Sequence, residues 1–539
     1  MYPGKVGRDH LGLGSVSSDQ ILPSLSPSIN VLTFHPRYHS FYVFLLDEFW
    51  QRDLPRTLDT WIDFFRPRDF FYSLGANLCD LPEHGQMGNI VGGQKTGPLA
   101  SKGYSIYDYD PEYIKNKLGG YGLYYRTVMA EVGLIYPGGK GFHYPVDVPS
   151  EYGKEVASAF RKAIKDTIYY QMYFDQMTPV PTPIILEYIH KACLCQLQTA
   201  DAPDRRFLLD TFLYHGTKSA ALARRETFRF FLDIAEQTKN YGIEEETFRQ
   251  LVYFGSTLDD ISYIPNVNVI DTALRWRYYQ AREYYAFALN ALWYYLCEWG
   301  IRNGGYIRPV PLSDFWNHLD QALDFNLLAD RLGLPTPKLH SASTFHDLLH
   351  WLQSITGSSE HTFDFACKIT SPIQEHILYQ LAQKHRNQAD VMTAGMITLL
   401  ALIMLRFGSL DLRIQPEWEI TRMGADVRLS MDGFIRKLQA KLQSGPVTIG
   451  EITRWLYESD IIHQHELIAT SKLPENTFRF RREGSLLRFQ NIANSLEFMN
   501  SRFDAIRTTI HELGFCGDLS QPEHPLTQEG QYLLELGDL

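Results

Sequence analysis

One pattern of residues occurs twice in this 539-residue chain, once in its first third and once near its C-terminal end. In both copies a helical stretch ends in Glu-x-Gly, a variable segment follows, and Ser or Thr opens another helix with Gly three residues later. Glycine readily takes the left-handed conformation that ends a helix, and Ser or Thr readily caps the start of one. The pattern therefore predicts the order helix, extended segment, helix at both places. Its residues are Glu131, Gly133, Ser150 and Gly153 in the first copy, and Glu512, Gly514, Thr527 and Gly530 in the second.

The first copy contains sequence signals for a turn between helices, a hairpin and a capped closing helix. Residues 119–120, Gly-Gly, permit a turn between two helices. Residues 137–141 are too rich in glycine for a regular strand and predict a tight hairpin tip that presents Lys140. Ser150 is predicted to cap the closing helix. Three residues near the start of the middle helix can contact a partner: Tyr125, Arg126 and Thr127.

This arrangement resembles the winged-helix (winged helix-turn-helix) superfamily, whose second helix commonly enters the major groove of DNA. The resemblance implies contacts from the start of that helix and from the wing tip. Some winged helices bind only proteins, because a fold does not fix a function. The predicted DNA-binding residues are Tyr125, Arg126, Thr127, Lys140, Arg502 and Arg507.

The length of the chain exceeds what one hydrophobic core usually serves, so we expect several domains. The predicted fold class is mainly α: a multi-domain helical protein with winged-helix modules, whose wings are short β-hairpins, in the N-terminal and C-terminal parts. The predicted segments are a flexible tail (1–30), an N-terminal helical region (31–110), a winged-helix module (111–176), a central helical domain (177–408) and a C-terminal domain with winged-helix-like elements (409–539).

Charge, hydropathy and cysteine content predict whether the protein binds nucleic acid or a membrane, and in which compartment it lies. Lys and Arg number 51 against 62 Asp and Glu, a net charge of −11 that argues against non-specific coating of nucleic acid. The apolar runs 284–297 and 391–405 are shorter than the ~20 residues of a membrane-spanning helix, so we predict core helices and no membrane contact. Six cysteines and no apolar signal segment predict a cytoplasmic protein with reduced thiols.

Two groups of residues were considered as metal sites. His346 and His350 lie four residues apart, on one helical face, with Asp347 where metalloproteases place a glutamate. His340 and His361 flank them as further candidate ligands. The short aspartate and the absence of another suitably spaced ligand favour an amphipathic helix instead, so no metal or other cofactor is predicted.

The second group is His190, Cys193 and Cys195. On a continuous helix the two cysteines point to different faces and cannot share a tetrahedral ion. We therefore predict a structural role for them.

A long helix over 271–299 interleaves arginines with aromatic residues. Such a surface can stack single-stranded bases, but the spacing of the rings follows the helical period and favours core packing.

No P-loop and no nucleophile-elbow motif is present, so no catalytic residue is predicted. The preferred hypothesis is a non-catalytic DNA-associated subunit or scaffold of a multi-protein complex, with double-stranded DNA and other protein subunits as partners. Analogy with other architectures of this kind suggests prokaryotic genome defence. One alternative is a protein–protein adaptor whose winged helices do not contact DNA. Another is a metal-dependent hydrolase centred on the HDLLH segment.

Overall fold

The computed structural model describes residues 9–85, 87–176, 178–199, 202–304, 307–355 and 373–539. It is 61% helix and 5% strand, which confirms the mainly helical prediction. Within these ranges, no helix is both long enough and apolar enough to cross a membrane. The α-helices are Leu13–Val16, Leu22–Leu25, Arg37–Gln51, Leu58–Leu78, Gly93–Ala100, Arg126–Glu131, Glu151–Ile164, Thr182–Ala192, Arg205–Tyr214, Lys218–Gln237, Glu245–Phe254, Ile270–Asn303, Leu312–Ala322, Phe325–Arg331, Phe345–Ile355, Glu375–Lys384, Met396–Phe407, Glu419–Arg422, Met431–Gln443, Ile449–Leu456, His463–Ser471, Phe503–Glu512 and Gln528–Leu536. The strands are Ile106–Tyr107, Ile135–Tyr136, Val148–Pro149, Val180–Pro181, Val310–Pro311, Phe480–Glu483 and Leu486–Phe489.

The chain forms two compact units, and each is built from two separate stretches of sequence. The first unit contains the residues up to Leu22 together with Arg249–Met499, and the second contains Pro23–Phe248 with Asn500–Leu539. These boundaries differ from the predicted segments. The predicted C-terminal domain divides after Met499, and the predicted boundary after residue 176 lies inside the second unit, where Val180–Pro181 pairs with Ile106–Tyr107.

The first unit is built around the helix Ile270–Asn303, which is buried on nearly all sides. The rings of Trp276 and Tyr279 are fully buried, and so is the Arg282 side chain. Core packing of this aromatic helix is thus confirmed, because no ring face is left for stacking on bases. The first unit also contains a hairpin, in which Phe480–Glu483 pairs antiparallel with Leu486–Phe489.

Residues 9–22, which belong to the predicted flexible tail, are packed in the structure, whereas residues 1–8 lie outside the described residues. Leu11 and Leu13 are fully buried, and a helical segment begins at Leu13. The guanidinium of Arg282 donates to the Leu13 carbonyl at 2.6 Å and to the Ser17 hydroxyl at 2.5 Å. The Gly and Ser content of this stretch indicated disorder, but its few apolar residues are enough to attach it to the first unit.

The second unit is organised around the helix Arg37–Gln51, most of which is buried. This helix packs against Glu151–Ile164. A group of buried tyrosines fills the space beside it, which explains how an aromatic-rich sequence is accommodated. These rings include Tyr38, Tyr42, Tyr72, Tyr121 and Tyr125.

Both copies of the repeated pattern lie in the second unit. In the first, Gly133 adopts a left-handed φ of 74° after the helix Arg126–Glu131. The Ser150 amide donates to the Leu134 carbonyl at 2.9 Å, and the Ser150 hydroxyl accepts from the Gly153 amide at 2.9 Å. The predicted cap is therefore confirmed.

The second copy has the same local structure. Gly514 has a φ of 85°, the Thr527 amide donates to the Phe515 carbonyl at 2.9 Å, and the Thr527 hydroxyl accepts from the Gly530 amide at 3.1 Å. Both copies also share one antiparallel backbone pair, between the second residue after the glycine and the residue before the cap. This pair is Ile135 with Pro149 in the first copy and Cys516 with Leu526 in the second. The repeat in the sequence is thus a repeat in the structure.

Candidate functional sites

The helix Arg126–Glu131 (the middle helix) is attached to residues 135–149 (the wing) by one buried carboxylate. Where the sequence predicted a helix before Gly119, the structure has the 3₁₀ turn Pro111–Tyr113. The Arg126 guanidinium donates to both oxygens of Asp147 at 2.7 Å and to the Gly138 carbonyl at 2.8 Å. The Tyr121 hydroxyl donates to the same carboxylate at 2.5 Å. These hydrogen bonds raise the pKa of Arg126. Because Asp147 ends the wing and Arg126 begins the helix, the ion pair fixes the wing relative to the helix.

The structure places the predicted DNA-binding residues of the first copy in different surroundings. The Tyr125 ring is buried, with its centroid 5.1 Å from that of Tyr38, so it presents no surface to a partner. Arg126 is partly exposed but engaged with Asp147. Thr127 and Lys140 are exposed. The first copy therefore presents one exposed hydroxyl and one exposed ammonium group from the predicted set.

The two predicted arginines of the second copy are engaged inside the protein. Arg502 is buried and donates to the Ser26 carbonyl at 3.0 Å. Arg507 donates to Asp504 at 2.8 Å and to Asp518 at 2.6 Å. Each guanidinium thus stabilises the second unit, and a DNA contact would have to compete with these hydrogen bonds.

Four apolar side chains of the first copy are exposed, three of them in the wing. Tyr136 and Phe142 are 54% and 55% exposed, and Leu123 and Tyr144 are 45% and 37% exposed. Leu123 lies in the π-helical turn Tyr121–Tyr125 before the middle helix, Tyr136 on the strand Ile135–Tyr136, and Phe142 and Tyr144 in the turn that follows. Sequence reasoning concentrated on the charged residues of this module and did not single out these side chains.

The HDLLH segment lies at the start of the helix Phe345–Ile355. His346, Asp347 and His350 are exposed, and Asp347 accepts from the Thr344 hydroxyl at 2.7 Å and from its amide at 2.9 Å. These hydrogen bonds lower the pKa of Asp347 and identify it as a helix-start residue. Within the described ranges, no group of three potential metal ligands includes either histidine. The further candidate His361 lies outside the described residues.

A cluster of three cysteines and one histidine lies in the second unit. Cys79, His84, Cys193 and Cys195 each offer one ligand atom, and these atoms all lie within 4.8 Å of one another. The Sγ atoms of Cys79 and Cys195 are 4.0 Å apart, and Nδ1 of His84 is 3.2 Å from Sγ of Cys193. Hydrogen bonds from the Cys193 and Cys195 thiols lower the pKa of the Cys79 thiol.

This cluster corrects the expectation that Cys193 and Cys195 cannot share an ion. The helix Thr182–Ala192 ends just before Cys193, whose backbone is extended with φ −57° and ψ 148°. A 3₁₀ turn, Leu194–Gln198, follows. The argument from opposite faces of a continuous helix therefore does not hold here, and both thiols point into the cluster. The short spacing of the two cysteines was visible in the sequence, but their partners, Cys79 and His84, were not.

Comparisons with protein-family models, with curated proteins and with solved structures found no match to this chain. Inferences about its function therefore rest on the helix and wing of the first copy and on the thiol–imidazole cluster.

Proposed function

We propose that the protein is a non-catalytic adaptor that binds a partner protein through the helix and wing of residues 111–176. The order of the middle helix, the wing and the closing helix Glu151–Ile164 supports the interpretation of this segment as a winged-helix module. The observation that carries the proposal is the exposure of four apolar side chains around the wing. They are Leu123, Tyr136, Phe142 and Tyr144.

Several exposed aromatic side chains close together in the sequence indicate a binding surface, whereas a single exposed aromatic such as Tyr241 is ordinary. Aromatic residues are enriched at the centres of protein–protein interfaces, and contiguous exposed apolar patches mark binding sites. A Phe or Tyr that enters a partner pocket commonly contributes a large share of the binding free energy. Phe142 and Tyr136, each more than half exposed, are the best candidates for such anchors.

The surface is held in place before any partner binds. The ion pair between Arg126 and Asp147 fixes the base of the wing, and the His143 ring packs edge-on against Tyr144 at 4.8 Å. A fixed wing loses little conformational entropy on binding. The burial of Asp147, which is 5% exposed, makes the ion pair less sensitive to salt than a surface pair.

The chemistry of the wing indicates the kind of partner. Residues 137–145 contain Lys140 and His143 and no acidic residue. A complementary surface would have an apolar pocket for the wing aromatics with carboxylates at its rim. The partner is therefore expected to be a protein with an acidic, apolar-centred groove.

Photo-crosslinking followed by reconstitution tests this proposal. A benzophenone amino acid at position 142 should crosslink one protein in the native host, and the same probe at Tyr241, an equally exposed tyrosine outside the module, should not. With the purified partner, the double variant Phe142→Ala/Tyr144→Ala should bind at least ~10-fold more weakly, whereas Tyr241→Ala should bind like the wild type. Equal crosslinking at both positions, or unchanged affinity, would contradict the proposal.

A second candidate function, association with double-stranded DNA, is favoured by the exposure of Lys140 and Thr127. Phosphate contact predicts an affinity for duplex DNA that falls steeply with salt, with a slope shallower by ~1 in Lys140→Glu. Lys218→Glu, at an exposed lysine outside residues 111–176, is the matched charge control. Arg126→Glu is unsuitable because it would break the ion pair with Asp147. Absence of binding at low salt would rule this candidate out.

A further inference from the structure

We propose that Cys79, His84, Cys193 and Cys195 bind one structural zinc ion. The inference is independent of the adaptor function, because it concerns other residues of the second unit. Three thiolates and one imidazole form one of the common ligand sets of structural zinc sites.

The distances between the ligand atoms suit a tetrahedral ion. Zinc binds thiolate sulfur at ~2.3 Å and imidazole nitrogen at ~2.0 Å, so ligand atoms around a tetrahedral zinc lie ~3.5–3.8 Å apart. The two sulfur atoms of Cys79 and Cys195 are 4.0 Å apart, and the His84 nitrogen is 3.2 Å from the Cys193 sulfur. Small side-chain adjustments would therefore bring all four atoms to bonding distance.

The backbone presents these ligands from the ends of two helices. Cys79 directly follows the helix Leu58–Leu78, and His84 ends the 3₁₀ turn Pro82–His84. Cys193 and Cys195 follow the helix Thr182–Ala192. Cys79 and Cys195 are 116 residues apart in sequence. An ion at this point would close a long loop and so lower the entropy of the unfolded chain, as a disulfide does.

Neighbouring side chains hold the Cys193 segment in position. Arg37 donates to the Cys193 carbonyl at 2.5 Å and forms a buried ion pair with Asp204 at 3.1 Å. The Tyr72 hydroxyl donates to the Ala192 carbonyl at 2.9 Å. Such outer contacts orient the ligands of metal sites. They anchor the segment at the point where the helix ends.

The burial of the ligands indicates a structural rather than a catalytic ion. Cys193 and Cys195 are fully buried, while Cys79 and His84 are partly exposed and leave a path for an ion to enter. Four protein ligands complete a tetrahedral shell and leave no position for a water or substrate.

A disulfide is the competing chemistry for these thiols. Joining Cys79 to Cys195 would shorten their separation from 4.0 Å to ~2.05 Å and would transfer two electrons and two protons to an oxidant. It would also leave His84 and Cys193 without a shared role. The ligand set and its near-tetrahedral spacing favour the metal.

Metal analysis of the purified full-length chain is the first test. The protein is prepared without chelators, with a non-coordinating reductant, and its metal content is measured by mass spectrometry. We expect one zinc per chain, and its loss in Cys195→Ser. Cys516→Ser removes a buried thiol of the same unit that lies outside the cluster and should keep the zinc. Absence of zinc even after reconstitution with Zn²⁺, an iron–sulfur spectrum, or a mass lower by two hydrogens would overturn the proposal.

Cobalt substitution keeps the test valid if a cysteine variant fails to fold. The wild-type chain loaded with Co²⁺ should show the intense visible bands of tetrahedral thiolate-bound cobalt, and weak octahedral bands would overturn the proposal. His84→Ala changes a partly exposed residue in a short turn. It should weaken zinc in a chelator competition by at least ~10-fold, since even the loss of an outer partner costs 10–100-fold. An unchanged zinc affinity would show that His84 is not a ligand and would overturn the four-ligand site.

Discussion

At the scale of single residues, buried polar side chains determine much of the second unit. Asp69 is fully buried and accepts from the hydroxyls of Tyr113 at 2.5 Å and Tyr42 at 3.1 Å. Burial raises the pKa of Asp69 from 3.8 to about 6, although both tyrosine hydrogen bonds act in the opposite direction. Desolvation of the carboxylate thus outweighs two good donors.

This pKa predicts how stability depends on pH. The folded protein holds the Asp69 proton more tightly than the unfolded chain, whose pKa is near 3.8. The stabilisation is therefore complete below about pH 4 and is lost as the pH rises through about 6, a change of about 3 kcal/mol for two pKa units. Asp69→Asn cannot ionise and should lack this part of the pH dependence.

Urea unfolding of the wild type and of Asp69→Asn between pH 4 and pH 7 measures the difference. We expect the variant to be less stable at pH 4, because its amide cannot accept from both tyrosines as a carboxyl group can. We also expect the gap to narrow towards pH 7. Parallel pH profiles would show that Asp69 keeps an ordinary pKa.

At the scale of elements, the repeated unit depends on a close contact between a helix start and a strand. A Cβ atom built on Gly153 would lie 2.1 Å from the Leu134 carbonyl oxygen, and one on Gly530 would lie 2.0 Å from that of Phe515. Only glycine allows the capped helix to approach the strand this closely. Gly133 differs, because it has open space around it and a left-handed φ of 74°.

Alanine substitutions should separate these two requirements. Gly153→Ala forces the helix away from the strand and should lower the free energy of unfolding by ~3 kcal/mol or more, as overpacking does. Gly133→Ala should lower the free energy of unfolding by only ~1 kcal/mol, the strain of an alanine in the left-handed conformation. Urea unfolding of both variants gives the comparison. Equal losses would indicate that the helix start is not closely packed in solution.

At the scale of the whole molecule, the first unit is completed by residues far away in sequence. The fully buried Arg282 side chain contacts Leu13 and Ser17. Both residues lie more than 200 positions before Arg249, where the main stretch of the first unit begins. Removal of the N-terminal segment would leave this guanidinium buried without these acceptors. The guanidinium would keep its ion pair with Glu283, but the loss of two hydrogen bonds from a buried charged group is costly.

A fragment of residues 249–499 should therefore be unstable alone. We expect its thermal unfolding midpoint to rise when a peptide of residues 9–22 is added, since the peptide restores the acceptors and three buried leucines, Leu11, Leu13 and Leu22. The same peptide with Leu11→Asp and Leu13→Asp is the control and should have no effect. If the fragment unfolds at the same temperature with and without the peptide, the first unit does not need its N-terminal segment for stability.

The sequence by itself determined the local features of this protein. Helical periodicity predicted the long core helix, and the cap preferences of Ser150 and Thr527 predicted where two helices begin. Both features were confirmed, because each depends on interactions between residues a few positions apart.

Only the tertiary structure decided which side chains meet across long distances in sequence. It paired Arg126 with Asp147, a residue that did not feature in the prediction of Arg126 as a DNA contact. It also ended a helix at Ala192 and brought Cys193 and Cys195 to Cys79 and His84. Such contacts depend on how the elements pack, so residue types and local spacing cannot specify them. The resemblance to winged helices therefore pointed to DNA contacts, while the fold gave the candidate metal site and left the wing aromatics exposed.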